Sequence, residues 1–333
     1  MNFNFSENDF LKNRLLIIFG ASDGGTILYE YLIKSNFYPT YFGDNDAAKW
    51  GTEHCGLKVI SPDQIPEDSL VLIASNWAQE IATQLNFMNI QNVDLTCWDD
   101  RWRLNFDVSR LDSGKAGQQI ARTLFRDEES IKVWDAYIRY RYTADASVLI
   151  PSKYNFYGHP KVSAIDGDVV FDVGSYDGKT AKFFLDSGAK KVFTFEPDSE
   201  NFDTVSQNIK DWGAKNIIVV NKGFWHENAS LSFTQDPLYD SQKRVTKPGG
   251  VAPETSSTIE VTTIDGFVEE IGETPTLIKM DIEGAEINAL RGASDLIRYE
   301  QPKLQISVYH EWDDLWRVPQ LIHDLNPNYE FFL

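Results

Sequence analysis

Three carboxylates crowd the stretch Lys279-Met280-Asp281-Ile282-Glu283-Gly284-Ala285-Glu286, at the end of the apolar run that starts at Thr276. Open parallel sheets bind their ligands at the carboxyl ends of core strands. Like charges are costly to bury together, so a cation, a ligand or a partner such as Lys279 must compensate them there. In the bland alternative, Glu283 or Glu286 only serves the first turn of the following helix, where negative charge is mildly favourable. A second acid, Glu196, closes the run Lys191-Val192-Phe193-Thr194-Phe195 and precedes Pro197. A carboxylate placed there can accept both hydroxyl protons of a ribose. The third element is Phe171-Asp172-Val173-Gly174-Ser175-Tyr176-Asp177-Gly178, a strand running through a glycine turn into a helix. Glycine lets a ligand approach the backbone, and a helix start offers free N–H groups.

The elements that carry these residues alternate. Apolar runs at 169–172, 191–196, 217–220, 276–281 and 303–308 read as strands. Between or after them, stretches at 178–187, 199–212, 285–297 and 314–325 read as helices, which makes the strands parallel. Leu231–Thr234 and Thr258–Thr262 read as two short strands around a mobile loop, and Tyr329–Leu333 as a final strand. A smaller alternation occupies 14–100: Leu15–Phe19, the turn Gly20-Ala21-Ser22-Asp23-Gly24-Gly25, a helix through Leu32, a strand ending at Asp44, and the doubly buried run Leu70–Ala74. From 105 to 165 the strand signal vanishes, and Gln118–Tyr142 has apolar residues at helical spacing. The expected organisation is α/β: a Rossmann-like domain over 1–104, a helical connector over 105–165 and a second sheet domain over 166–333 with helices on both faces.

Composition bounds the function. With 50 acidic and 31 basic side chains the net charge is −19, a field that repels phosphate backbones and anionic lipid surfaces. Nucleic acid and membrane insertion are therefore not expected, and no apolar run near the N-terminus is long enough to span a bilayer. Cys55 and Cys97 are too few for a disulfide framework, which suits packing roles in a reducing cytoplasm.

The chain from about 115 to 333 resembles the FkbM-type methyltransferases. The resemblance rests on Asp127-Glu128-Glu129-Ser130, Asp172-Val173-Gly174 with Gly178, Phe195-Glu196-Pro197, Lys222-Gly223-Phe224-Trp225, the acidic motif at 279–286 and Tyr309-His310. It implies a class I methyltransferase sheet and S-adenosylmethionine as cofactor. Asp172, Gly174 and Ser175 would then lie against its methionine part, with Gly178 in the same turn. Glu196 would hold the ribose with Pro197 beside it, Gly223 and Phe224 would border the adenine, and Asp281 would face the reacting centre. That family's sheet has a late antiparallel strand, which this sequence lacks. For a hydroxyl acceptor on a sugar, a glycolipid precursor or a small natural product, His310 is the expected base, since its ordinary pKa lies near neutrality. Glu283 is its rival. A divalent metal on Asp281 and Glu283 is a further route to acidifying the hydroxyl. Trp312 and Trp316 either line the acceptor pocket or, as aromatic residues beside a sheet more often do, complete the core.

The segment 14–100, with Gly20–Gly25 and Asp44-Asn45-Asp46, resembles nucleotide- or sugar-nucleotide-binding domains of sugar-modifying enzymes. Asp23, at the helix start, disfavours a pyrophosphate there. Two other readings stay open at this level: a non-catalytic binding protein with two nucleotide folds, and a nicotinamide-dependent oxidoreductase. A homo-oligomer is left open as well.

Overall fold

The computed structural model describes residues 11–96, 105–235, 243–245 and 257–333, so Cys97 and most of the loop expected between Thr234 and Thr258 lie outside the described residues. The chain divides into two compact units, one of residues 1–151 with 331–333 and one of residues 152–330.

In the first unit, β1 (Leu15–Phe19), α1 (Asp23–Lys34), β2 (Tyr41–Gly43), β3 (Glu53–His54), β4 (Leu57–Ile60), β5 (Ser69–Ile73), α2 (Ala78–Phe87) and β6 (Gln91–Asp94) build a sheet of order β3-β4-β2-β1-β5-β6. All its pairs are parallel except β3 with β4. Every residue of β5 is buried, as its unbroken apolar run requires. Helices α3 (Val108–Ser113), α4 (Lys115–Leu124) and α5 (Glu128–Thr143) follow in the same unit. The helical spacing over Gln118–Tyr142 is shared between two helices, α4 and α5. Phe125 is extended and Asp127 caps a new start, its carboxylate accepting the Ser130 N–H at 2.8 Å.

The second unit opens with β7 (Val169–Val173), α6 (Lys179–Asp186), β8 (Lys191–Phe195), α7 (Ser199–Asp211) and β9 (Ile217–Val220). Next come β10 (Gly223–Phe224), β11 (Ala229–Gln235), β12 (Lys243–Val245) and β13 (Ser257–Thr262), which form a separate small sheet, and α8 (Ile264–Ile271). The unit continues with β14 (Leu277–Met280), α9 (Glu286–Arg291), β15 (Lys303–Ile306) and α10 (Asp314–Leu325). The main sheet is parallel throughout, in the order β15-β14-β7-β8-β9. Its strand order reverses between β7 and β14, the point at which open α/β sheets leave a crevice. The register sets Val173 beside both Phe195 and Met280, so Gly174, Glu196 and Asp281 leave the sheet level with one another.

Two expectations fail for local reasons. The helix predicted over 285–297 stops at Arg291: the Gly292 carbonyl accepts the Asp265 N–H at 2.9 Å instead of continuing the helical ladder, and a Cβ at Gly292 would meet the Trp225 carbonyl oxygen at 2.1 Å. Asp265 then caps the next turn, accepting the N–H groups of Asp295 and Leu296 at 3.0 Å each. The final strand predicted over Tyr329–Leu333 reduces to one bridge, Phe331 with Phe125, and Leu333 donates its N–H to Ser130 Oγ at 3.0 Å. The tail is thus taken up by the helices of the first unit.

Candidate active site

A cavity of about 280 Å³ opens at the carboxyl ends of β7, β8 and β14. Gly174, Glu196 and Asp281, which the sequence singled out separately, all line it, together with Pro197, Gly223, Phe224 and Glu283. Gly174 sits at φ +82°, and a Cβ there would lie 2.0 Å from the Asp281 carbonyl oxygen. Only glycine lets the two strand ends come this close.

Glu196 is buried, yet both of its oxygens are used. Oε2 accepts the Tyr176 N–H at 3.1 Å and Oε1 accepts the Asp198 N–H at 3.2 Å. Burial disfavours the charge and outweighs those two donors, so the pKa is pushed up to about 7. Behind this side of the cavity, Phe195 and Phe224 meet at 4.6 Å between ring centres, and both contact Phe267. Phe171 and Phe193 extend the cluster, mostly in edge-to-face contact. The small sheet adds Phe233, Ile259 and Val261 to the wall.

Five residues expected near a ligand do not line this cavity. Asp172 is wholly buried and turned inward: Lys279 Nζ lies 3.1 Å from its Oδ1, and Oδ2 accepts the hydroxyls of Thr180 and Thr194 at 2.9 and 3.2 Å. Lys279 also donates to the Gly174 carbonyl and is only 2% exposed. Burial works against its charge, but the neighbouring Asp172, Tyr157 and Asp281 outweigh this and hold its pKa above the ordinary value. Asp172 and Lys279 together brace the glycine turn. Ser175 is buried off the wall, and Tyr176 takes the place beside the cavity. Gly178, at φ +80°, packs against Val205 and starts α6. Trp312 and Trp316 pack on each other at 5.3 Å and do not line the cavity either.

The acidic motif and His310 do meet. His310 Nδ1 lies 2.8 Å from Glu286 Oε1, while Nε2 lies 3.4 Å from Asp281 Oδ1 and 3.8 Å from Glu283 Oε2. The ring itself is buried and off the cavity wall, behind the two acids that line it. Burial disfavours its charge, but the three carboxylates prevail and raise its pKa. Tyr309 donates its hydroxyl to Asp281 Oδ1 at 2.8 Å, and burial together with that carboxylate raises the phenol's pKa. Asp281, Glu286 and His310 bring ligand atoms within 4.8 Å of one another, as a metal centre would need. The sequence offered Glu286 as one of three clustered acids, with a helix-start role as the alternative, and Tyr309 as part of a motif with no role of its own. Only the fold shows that both hold the cluster.

Residues 172–331 match the family described as methyltransferase FkbM domain. The second unit belongs to the FkbM methyltransferase family. A methyltransferase FkbM from Methylobacillus flagellatus KT shares the fold across both units, with a TM-score of 0.70 at 18% identity over 98% of this chain and 88% of that one. An rRNA methylase from Streptococcus thermophilus aligns over 44% of this chain and 63% of that one, at 15% identity and a TM-score of 0.27. No curated protein matches the sequence.

In the first unit, Asp44 accepts the Ala21 N–H and Lys49 Nζ, each at 2.9 Å, so it ties its own glycine turn together. Among the described residues, no helix is long and apolar enough to cross a membrane.

Proposed function

We propose that this FkbM methyltransferase uses S-adenosylmethionine to methylate a hydroxyl of a sugar, a glycolipid precursor or a small natural product. One observation carries the reading: Gly174, Glu196 and Asp281 converge on a single cavity at the point where the sheet order reverses. The residues fit the cofactor. Glu196 presents a carboxylate already fixed by two backbone donors and suited to accept ribose hydroxyls. Pro197, Gly223 and Phe224 offer an apolar border for an adenine, and Gly174 lets the ligand approach the strand end. When bound, the cofactor supplies an electrophilic methyl on a sulfonium and leaves as a neutral thioether.

The protein's part is alignment and proton handling, and alignment is worth on the order of 7–11 kcal/mol in favourable systems. Asp281 and Glu283 stand on the wall where an acceptor hydroxyl would lose its proton. His310 stands behind them, with Nε2 directed between the two carboxylates. The scarcity of cysteine supports a cytoplasmic setting.

Calorimetry on the full chain with S-adenosylhomocysteine, NAD and UDP-sugars tests this. Binding of S-adenosylhomocysteine alone is the expected result, with Glu196→Ala weakening it by about tenfold or more, the loss of roughly one charge-assisted hydrogen bond. Binding of NAD or a UDP-sugar in its place would return the protein to the non-catalytic or oxidoreductase readings.

A further inference from the structure

We propose that Asp281, Glu283 and His310 Nε2 form a binding site for one divalent cation at the acceptor side of the cavity. The inference starts from the imidazole. His310 is 3% exposed, and its Nε2 has no hydrogen-bond partner among the described residues. That atom points between Asp281 Oδ1 at 3.4 Å and Glu283 Oε2 at 3.8 Å. Both gaps are too long for a good hydrogen bond. They approach the spacing of two neighbouring ligands on a small cation, which at about 2.1 Å from each atom sets them roughly 3 Å apart or more.

Glu286 supplies the second, independent observation. Its two oxygens accept the N–H groups of Ile282 and Gly284, at 2.9 and 3.0 Å. It therefore acts as an acceptor, and the hydrogen bond to His310 places the ring proton on Nδ1. In the neutral ring the Nε2 lone pair then faces two carboxylates, an arrangement that a cation between them makes favourable. A carboxylate behind a ligating imidazole is the usual support of such sites, since it fixes the tautomer and raises the basicity of the ring. One imidazole with two carboxylates suits a first-row divalent ion such as Mn²⁺. Asp281 and Glu283 also line the cavity, so the remaining coordination positions face the acceptor. A hydroxyl bound there would ionise more readily. This last consequence, and not the binding itself, rests on the methyl-transfer reading.

The test is a titration of the full, chelator-treated chain with Mn²⁺ alone, following the free ion by electron paramagnetic resonance. One Mn²⁺ per chain is expected. His310→Gln and Glu283→Gln should each weaken it by about tenfold or more, and Glu286→Gln by roughly 10- to 100-fold through the supporting bond. The exposed control Glu128→Gln should leave binding unchanged. Glu283 is partly exposed, so its variant keeps the test sound if the His310 variant does not fold. Absence of stoichiometric Mn²⁺, or affinity indifferent to the Glu283 and Glu286 changes, overturns the site and leaves an imidazolium proton as the bridge. S-adenosylhomocysteine binding in the same samples separates the two ideas: cofactor binding without Mn²⁺ rejects only the cation site, and Mn²⁺ binding without cofactor rejects only the methyl-transfer reading.

Discussion

Lowering the pH from about 8 to about 6 should weaken S-adenosylhomocysteine binding by about tenfold, because the carboxylate assigned to the ribose titrates in between. Glu196 is buried beside the cavity and its pKa is raised from 4.5 to about 7. Ribose hydroxyls donate, so the ligand favours the ionised carboxylate. At about pH 8 nearly all of the unliganded protein is ready to bind, and at about pH 6 roughly a tenth is, a difference of about 1.4 kcal/mol. Stability of the free protein follows the opposite course. A folded-state pKa above the unfolded value gives stability that is complete below about 4.5 and is lost as pH rises through about 7, in total roughly 3 kcal/mol from this one group. Calorimetry across the range, paired with denaturation of the free chain, reads both slopes. Glu196→Gln should flatten both. An affinity that is level between about pH 6 and pH 8, or a Gln variant that keeps the wild-type slope, would refute the ribose assignment.

Two further perturbations test the scaffold around the cavity. Gly174→Ala drives a Cβ to 2.0 Å from the Asp281 carbonyl at a positive φ, which should cost about 2–5 kcal/mol in chemical denaturation and abolish S-adenosylhomocysteine binding. Gly213→Ala, also at positive φ but with nothing within 4 Å, is the control and should cost only about 1–2 kcal/mol. Lys279→Met leaves Asp172 buried without its cation and should destabilise by about 3–5 kcal/mol, with most of the loss recovered in the double variant Lys279→Met/Asp172→Asn. Equal stability of the single and double variants would mean that the pair is not coupled.

The core strands were legible because each is a short apolar run bounded by turn residues, as at Leu15–Phe19 and Ile217–Val220. Gly174 and Glu196 were legible for a similar reason, since a glycine or an acid directly after a buried strand has few places to go. The two-residue β3 and the polar β6 (Gln-Asn-Val-Asp) carry no such signal, and partners elsewhere in the sheet define them. The inward pairing of Asp172 is not legible because its partner is remote in sequence: Lys279 faces it across β7 and β14, a register that neither segment reveals alone. Glu286 resembles its two acidic neighbours on paper. What sets it apart is the approach of His310, delivered by the chain after β15.

The five phenylalanines behind the cavity wall carry a consequence for the history of such a chain. Phe171 and Phe193 belong to the strands, Phe267 to a helix, and Phe195 and Phe224 also face the ligand cavity. A change of ring size at any one of them is felt at the next, so fold integrity and cavity shape cannot be tuned separately there. Drift at these positions has to proceed in concert, whereas the acceptor side, built from chain segments that leave the sheet, is at liberty to diversify.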